Sequence, residues 1–216
     1  VAETEGRARD WVAWHQGYDA PDSPLARRLV LVQDQLRVAL DRAPAGPVQL
    51  LSLCAGEGRD VLGVLASHPR REDVRARLLE LNPRLAAAAR AEAAAQELEL
   101  EVRSTDAGLT DGYVGAVPAD VVLVCGVFGN VSTEDIQAII TSLDQLCAEA
   151  ASVLWTRHRF PPDMTPVIRD WFAESGFREL AFEVLDDSDY VSVGHHAFAG
   201  QPAALQAGRR LFTFVG

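Results

Sequence analysis

The chain of 216 residues contains no lysine, and all 20 of its basic residues are arginine. A Walker-type phosphate loop, which needs a lysine to reach the phosphates, is therefore excluded. Cysteine is sparse. Cys54, Cys125 and Cys147 are odd in number, widely spaced and set among apolar residues. That spacing suits neither a disulfide framework nor a zinc knuckle, so they read as reduced core thiols of a cytoplasmic protein, and no metal site is expected. No stretch approaches eighteen uninterrupted apolar residues, so no membrane span is expected. The opening VAETEGRARDW is charged and lacks the apolar run of a secretory leader. A cationic surface is missing as well. The net charge is −11 and no arginine stripe is interleaved with aromatics, which speaks against nucleic acid as a partner. Nothing in the pattern indicates an oligomeric state.

What is present is a globular composition, 48% hydrophobic and 24% charged, long enough to bury one large core. From about residue 46, strand-like apolar runs alternate with amphipathic helical segments. Strands are expected at 48–53, 74–81, 99–104, 119–125, 152–155, 178–185 and 209–215. The runs near 48, 119 and 152 are continuously apolar, as expected of central strands in a parallel sheet covered on both faces. Helices are expected at 58–67, 83–97, 133–147 and 164–175, the second opened by Pro83 and the third capped by Ser132 or Thr133. Such alternation implies right-handed crossovers and a three-layer, doubly wound α/β fold. No helix separates the last two strands, so the seventh is expected to run antiparallel in a mixed sheet. Residues 46–216 then form one compact unit. Ahead of it, residues 1–45 carry two helical patterns, Asp10–Tyr18 and Pro24 to about Arg42, separated by YDAPDSP.

The stretch QLLSLCAGEGRD (49–60) runs an apolar strand straight into Gly56-Glu57-Gly58 and the start of a helix. Glycines there let the backbone turn sharply and approach a ligand closely. In an open α/β sheet, ligands sit beyond the carboxyl ends of the strands. A dinucleotide fingerprint would need a third glycine where Val61 stands. S-adenosylmethionine is the competing cofactor for such a turn.

LLSLCAGEGRD resembles the first motif of the class I S-adenosylmethionine-dependent methyltransferases, and later segments follow that family in order over about residues 48–216. The resemblance implies that Glu80 in LLELNP receives the ribose hydroxyls and that Asp106 in STDAG lies by the adenine amino group. It also implies that VVLVCGVFGN is the fourth strand with the loop facing the methyl donor. Cofactor contacts are thereby expected from Cys54, Ala55, Gly56, Gly58 and Arg59, from Glu80, Leu81 and Asn82, from Asp106 and Ala107, and from Cys125 and Gly126. Two positions depart from the family pattern: Ser52 stands where an acidic residue is usual, and Cys54 replaces the first glycine of the usual triplet. The chemistry fits the residue types. Ribose hydroxyls donate and a carboxylate accepts both, Leu81 and Ala107 offer apolar faces to the ring, and the methionine carboxylate needs donors from the Gly56–Gly58 backbone or Arg59. The first helices resemble the family's variable lid.

Methyl transfer from a sulfonium is an in-line displacement, helped by near-attack positioning and, for a protonated nucleophile, by a base. His15, Arg157 and His195 are the candidate catalytic residues. Trp11, Trp14, Tyr18, Phe128, Asn130, His158 and His196 are candidates for contacting the acceptor. Trp11, Trp14, His15 and Tyr18 share one helical face. Arg157 and His158 follow the fifth strand directly, and His195 and His196 fall in the connection after the sixth. The tryptophans read equally as helix anchors, Asn130 as a helix cap, and Arg157 or its neighbour Arg159 as half of an ion pair. The expected function is a methyltransferase for a small-molecule acceptor. A nicotinamide-dependent Rossmann-type reductase and a non-catalytic cofactor-binding protein remain open, and no motif names the acceptor.

Overall fold

Along the central strands, apolar residues alternate between two buried faces. Leu50, Val121, Leu123 and Leu154 pack into one layer, and Leu51, Val122, Val124, Val153 and Trp155 into the other. A period of two with both phases apolar describes a strand covered on both sides. The computed structural model describes residues 10–185 and 190–215; most of the charged opening stretch lies outside them.

Seven strands form one sheet: β1 Val48–Ser52, β2 Val74–Glu80, β3 Glu101–Ser104, β4 Ala119–Val124, β5 Cys147–His158, β6 Phe177–Val184 and β7 Val191–Phe198. Their spatial order is β3-β2-β1-β4-β5-β7-β6. β1 pairs in parallel with β2 and β4, and β7 runs antiparallel to both β5 and β6. Because the chain turns to opposite sides of β1 as it adds β2 and then β4, the carboxyl ends of these two neighbours bracket the switch point where such folds bind ligands.

The helices are α1 Trp11–His15, α2 Pro24–Arg42, α3 Arg59–Leu65, α4 Pro83–Ala95, α5 Thr133–Ser142 and α6 Thr165–Glu174. Their starts follow from capping chemistry. Ser23 Oγ accepts from the Ala26 amide at 3.0 Å, Asn82 Oδ1 from Arg84 at 2.9 Å, and Ser132 Oγ from Asp135 at 3.0 Å, with Pro24 and Pro83 in the first turns of α2 and α4. Leu36, Ala39 and Leu40 of α2 pack with Val61 and Val64 of α3 on one face, while Ile136, Ile139 and Ile140 of α5 pack with Ile168 and Phe172 of α6 on the other.

The expected last strand is corrected. β7 is Val191–Phe198, in the segment read as a connection, and residues 209–215 lie outside the sheet. Gly194 and the pair His195-His196 disguise β7 as a loop, yet it is buried almost throughout. The segment 209–215 alternates like a strand but makes only isolated bridges, Leu109 with Arg210 and Val131 with Phe214. It therefore crosses the carboxyl edge of the sheet, beyond the ends of β3 and β4.

Candidate functional site: the cleft over the glycine turn

After β1 the chain enters a left-handed sequence, with φ of 52° at Cys54, 58° at Gly56 and 71° at Gly58. Glycine adopts this conformation freely, whereas at Cys54 it carries strain of about 1 kcal/mol or more. The turn is tied down on both sides. Leu53 N donates to Leu123 O at 2.9 Å and Ala55 N to Leu79 O at 2.9 Å. Gly56 N donates to Glu80 Oε2 at 2.8 Å, and Asn82 N to Glu80 Oε1 at 2.7 Å. Glu80 is only 8% exposed. Burial pushes its carboxyl above the usual range, and the two amides oppose that shift.

Above the turn lies a cavity of about 460 Å³. Its floor includes Cys54, Ala55, Glu80, Leu81, Asn82, Asp106, Ala107, Cys125 and Gly126, with Arg59 on its wall. Gly56 and Gly58 shape the floor from beneath. From α1 and the 3-10 turn after it, Trp11, Trp14, His15 and Tyr18 form the roof. Their rings interlock, Trp11 with Trp14 at 6.0 Å and Trp14 with Tyr18 at 5.8 Å between centroids. His15 rests directly on Gly56, where a Cβ would fall 2.1 Å from its Cε1. Burial lowers the His15 pKa, with Glu57, at 3.9 Å, pulling the other way.

Several cavity residues were not among those the sequence singled out. Arg28, Leu29 and Val32 of α2 line it, and their helical spacing was the one clue. Asp60 lines it from α3, two residues past the second glycine. Arg210, Phe212, Thr213 and Phe214 close it from the carboxyl-edge crossing, and were concealed by the expectation that they belonged to the sheet. Arg210 Nη1 donates to Asp106 Oδ2 at 3.0 Å, while Asp106 Oδ1 accepts from Gly108 N at 2.8 Å.

The remaining candidates lie elsewhere. His195 and His196 are in β7, 0% and 1% exposed, because that segment is a strand. His195 Nδ1 meets Gln35 Oε1 at 3.0 Å and its Nε2 meets Ser152 Oγ at 3.0 Å. Trp155 Nε1 donates to His196 Nδ1 at 3.1 Å, and His196 stacks on Phe172 at 4.3 Å. Both are structural parts of the interior. Phe128 is fully buried against Trp155 and Phe172. Asn130 Nδ2 donates to Gly126 O at 2.7 Å, which shapes the loop after β4. Arg157 donates to Phe128 O, and His158 packs on Phe160 at 5.1 Å. None of these six lines the cavity. Among the described residues no group of three or more His, Cys, Asp or Glu side chains could hold a metal ion, and no helix is long and apolar enough to cross a membrane.

No family model matches the sequence, and no curated protein is significantly similar to it. Solved structures are similar in fold. An O-methyltransferase family protein from Burkholderia thailandensis superposes with a TM-score of 0.67 at 17% identity, over 89% of this chain and 61% of its own, so the present chain spans about three fifths of that protein. Magnesium protoporphyrin IX methyltransferase from Synechocystis, solved with bound S-adenosylmethionine, gives 0.64 at 14% identity over 88% and 92% of the two chains. An RNA methyltransferase from Salinibacter ruber, solved with S-adenosylhomocysteine, gives 0.51 at 17% identity over 82% and 95%. With its strand order, its reversed β7 and these superpositions, the chain has the fold of the class I S-adenosylmethionine-dependent methyltransferases.

Proposed function

We propose that the protein is an S-adenosylmethionine-dependent methyltransferase acting on a small organic acceptor. The observation that carries this reading is the Glu80 carboxylate. It stands at the carboxyl end of β2, each oxygen fixed by one backbone amide and each keeping a second acceptor position. Vicinal ribose hydroxyls are the donors that suit it. Leu81, beside it in the cleft, is 66% exposed, an apolar surface of the kind an adenine ring would cover. A volume of about 460 Å³ suits one nucleoside carrying an amino-acid tail.

When bound, this cofactor supplies an electrophilic methyl group on a sulfonium. The chain's contribution is orientation and exclusion of water. Trp11, Trp14 and Phe214 wall the cavity with apolar surface, and Trp11 meets Phe214 at 5.5 Å across the roof. His15 is the base this reading favours, because burial keeps its imidazole neutral and its Nδ1 has no hydrogen-bond partner. A proton released by a hydroxyl or ammonium acceptor would pass to the His15 imidazole. The aromatic roof and the net charge of −11 favour a small acceptor over a polyanion.

Calorimetric titration tests the reading. S-adenosylhomocysteine is expected to bind and NADH is not. Binding of NADH with no binding of S-adenosylhomocysteine would overturn it in favour of a reductase. Once the cofactor site is established, transfer of a labelled methyl group to a panel of small hydroxyl, amine and carbon acceptors distinguishes an enzyme from a non-catalytic binder.

A further inference from the structure

Arg157 is a cation without an anion. It stands half-buried at the carboxyl end of β5 and donates from Nη1 to Phe128 O. Its Nε is buried without a hydrogen-bond partner, and among the described residues it makes no ion pair. Carboxylates are not scarce, since Arg59, Arg77, Arg169 and Arg210 each meet one at 3.0 Å or less. The acid that acts on Arg157 electrostatically is Asp163, and it is already taken. Asp163 Oδ2 accepts from Arg159 Nε at 3.1 Å, and its Oδ1 accepts from the amide and hydroxyl of Thr165. A half-buried guanidinium left in this condition is costly unless a ligand supplies the anion.

Next to it, His158 begins a short shelf of rings. His158 packs on Phe160 at 5.1 Å, and Phe160 on Tyr190 at 4.7 Å. Both Phe160 and Tyr190 are exposed, and Arg159 N donates to Tyr190 O at 2.7 Å. His158 Nδ1 is buried without a partner, and burial together with Arg157 lowers the pKa of its imidazole.

The loop after β4 joins this corner to the cleft. A Cβ at Gly129 would fall 3.6 Å from His158 Cδ2 and 3.8 Å from Arg157 Nη1. At the other end of the loop Gly126 lines the cavity, with open space where its Cβ would be. Its amide donates to Thr156 Oγ1 at 2.8 Å, which pins the loop to the end of β5.

We propose that Arg157, with the shelf His158, Phe160 and Tyr190, is an acceptor subsite that selects aromatic acids. The acceptor's carboxylate lies on Arg157, its ring lies against Phe160, and its hydroxyl or amine points over Gly126 into the cavity. A guanidinium holds a carboxylate through paired N–H donors, and exposed rings stack on a flat ligand. The carboxylate is a handle and does not react. This inference rests on the methyltransferase reading above and narrows its acceptor from a small organic molecule to a small aromatic anion.

The test uses the protein saturated with S-adenosylhomocysteine and a panel of hydroxybenzoates and aminobenzoates, each paired with its uncharged carboxamide. By calorimetry, the parent is expected to bind at least one acid about tenfold to a hundredfold more tightly than its amide, the range for a charge-assisted hydrogen bond. Arg157→Met should erase that preference, and Arg157→Lys should keep part of it. Phe160→Ser, at an exposed position, should weaken acid and amide alike. Parental affinity for S-adenosylhomocysteine in all three variants shows that each is folded. The subsite is overturned by a parent that prefers no acid to its amide, or by an Arg157→Met variant that keeps the preference. Parental acid affinity in Phe160→Ser overturns it as well. Failure of the parent to bind S-adenosylhomocysteine would instead overturn the cofactor reading beneath it.

Discussion

Glu80 Oε2 accepts a hydrogen bond from the backbone N–H of Gly56 at 2.8 Å, so the acid after β2 and the glycine turn after β1 are one junction. The carboxylate fixes the turn as well as facing the cleft. Glu80→Ala should therefore produce two measurable effects. S-adenosylhomocysteine affinity should fall by about 1.5–3 kcal/mol, the range for a hydrogen bond to a charged group. Thermal stability should fall too, because a buried amide is left without its acceptor. Parental affinity in calorimetry would remove Glu80 from the ribose role.

Gly56→Ala places a methyl group where His15 now lies, at a residue with φ of 58°. The left-handed backbone costs a non-glycine residue about 1–2 kcal/mol, and the imidazole must leave. The expected outcome is a detached roof with the sheet intact. Limited proteolysis within YDAPDSP (18–24) should accelerate, and added S-adenosylhomocysteine should protect the parent there but not the variant. Equal cleavage rates in parent and variant would show that His15 does not dock the roof.

In β7, Gly194 lets the Trp155 indole lie flat on the strand. A Cβ at 194 would sit 2.2 Å from Trp155 Cε2. Trp155 is fully buried and stacks on Phe172 at 5.8 Å, so it has nowhere to retreat. Gly194→Ala should destabilise the fold by about 1–3 kcal/mol, the usual cost of overpacking, read as a lower urea midpoint. S-adenosylhomocysteine affinity should be unchanged in the fraction that folds.

The buried histidines predict a pH dependence. His195 and His196 are both held near a pKa of about 4 by burial, below the ordinary 6.5. The unfolded chain then takes up protons first as the pH falls. Stability should be full above about pH 6.5 and decline between there and about 4, at roughly 1.4 kcal/mol per unit of depression for each group. Urea midpoints across that range measure it, and a shallower profile in His196→Gln is expected. A flat profile in the parent would contradict the burial of neutral imidazoles.

Elements whose sequence declares both periodicity and boundaries were readable in advance. Pro24, Pro83 and Ser132 announced three helix starts, and the continuous apolar runs at β1 and β4 announced buried parallel strands. The strand-end residues Glu80 and Asp106 line one cavity, as the resemblance implied. β7 was not readable, because its polarity is satisfied by partners distant in sequence: Gln35 and Ser152 for His195, Trp155 for His196. Local pattern cannot register a hydrogen bond that only tertiary packing creates. For the same reason Arg28 and Asp60 passed unnoticed, since a charge on a helix normally reads as solvent-facing.

Trp11 and Phe214 meet at 5.5 Å although nearly the whole described chain lies between them. Contacts of such separation are slow to form, since the intervening chain must be organised before its ends can meet. The cleft should accordingly be the last part of the molecule to mature during folding. A nascent chain that has built its first five strands already owns the glycine turn and Glu80, yet lacks the Arg210–Phe214 wall. Tight cofactor capture would then await the crossing segment, and a refolding experiment should find the cofactor arriving after the sheet has formed.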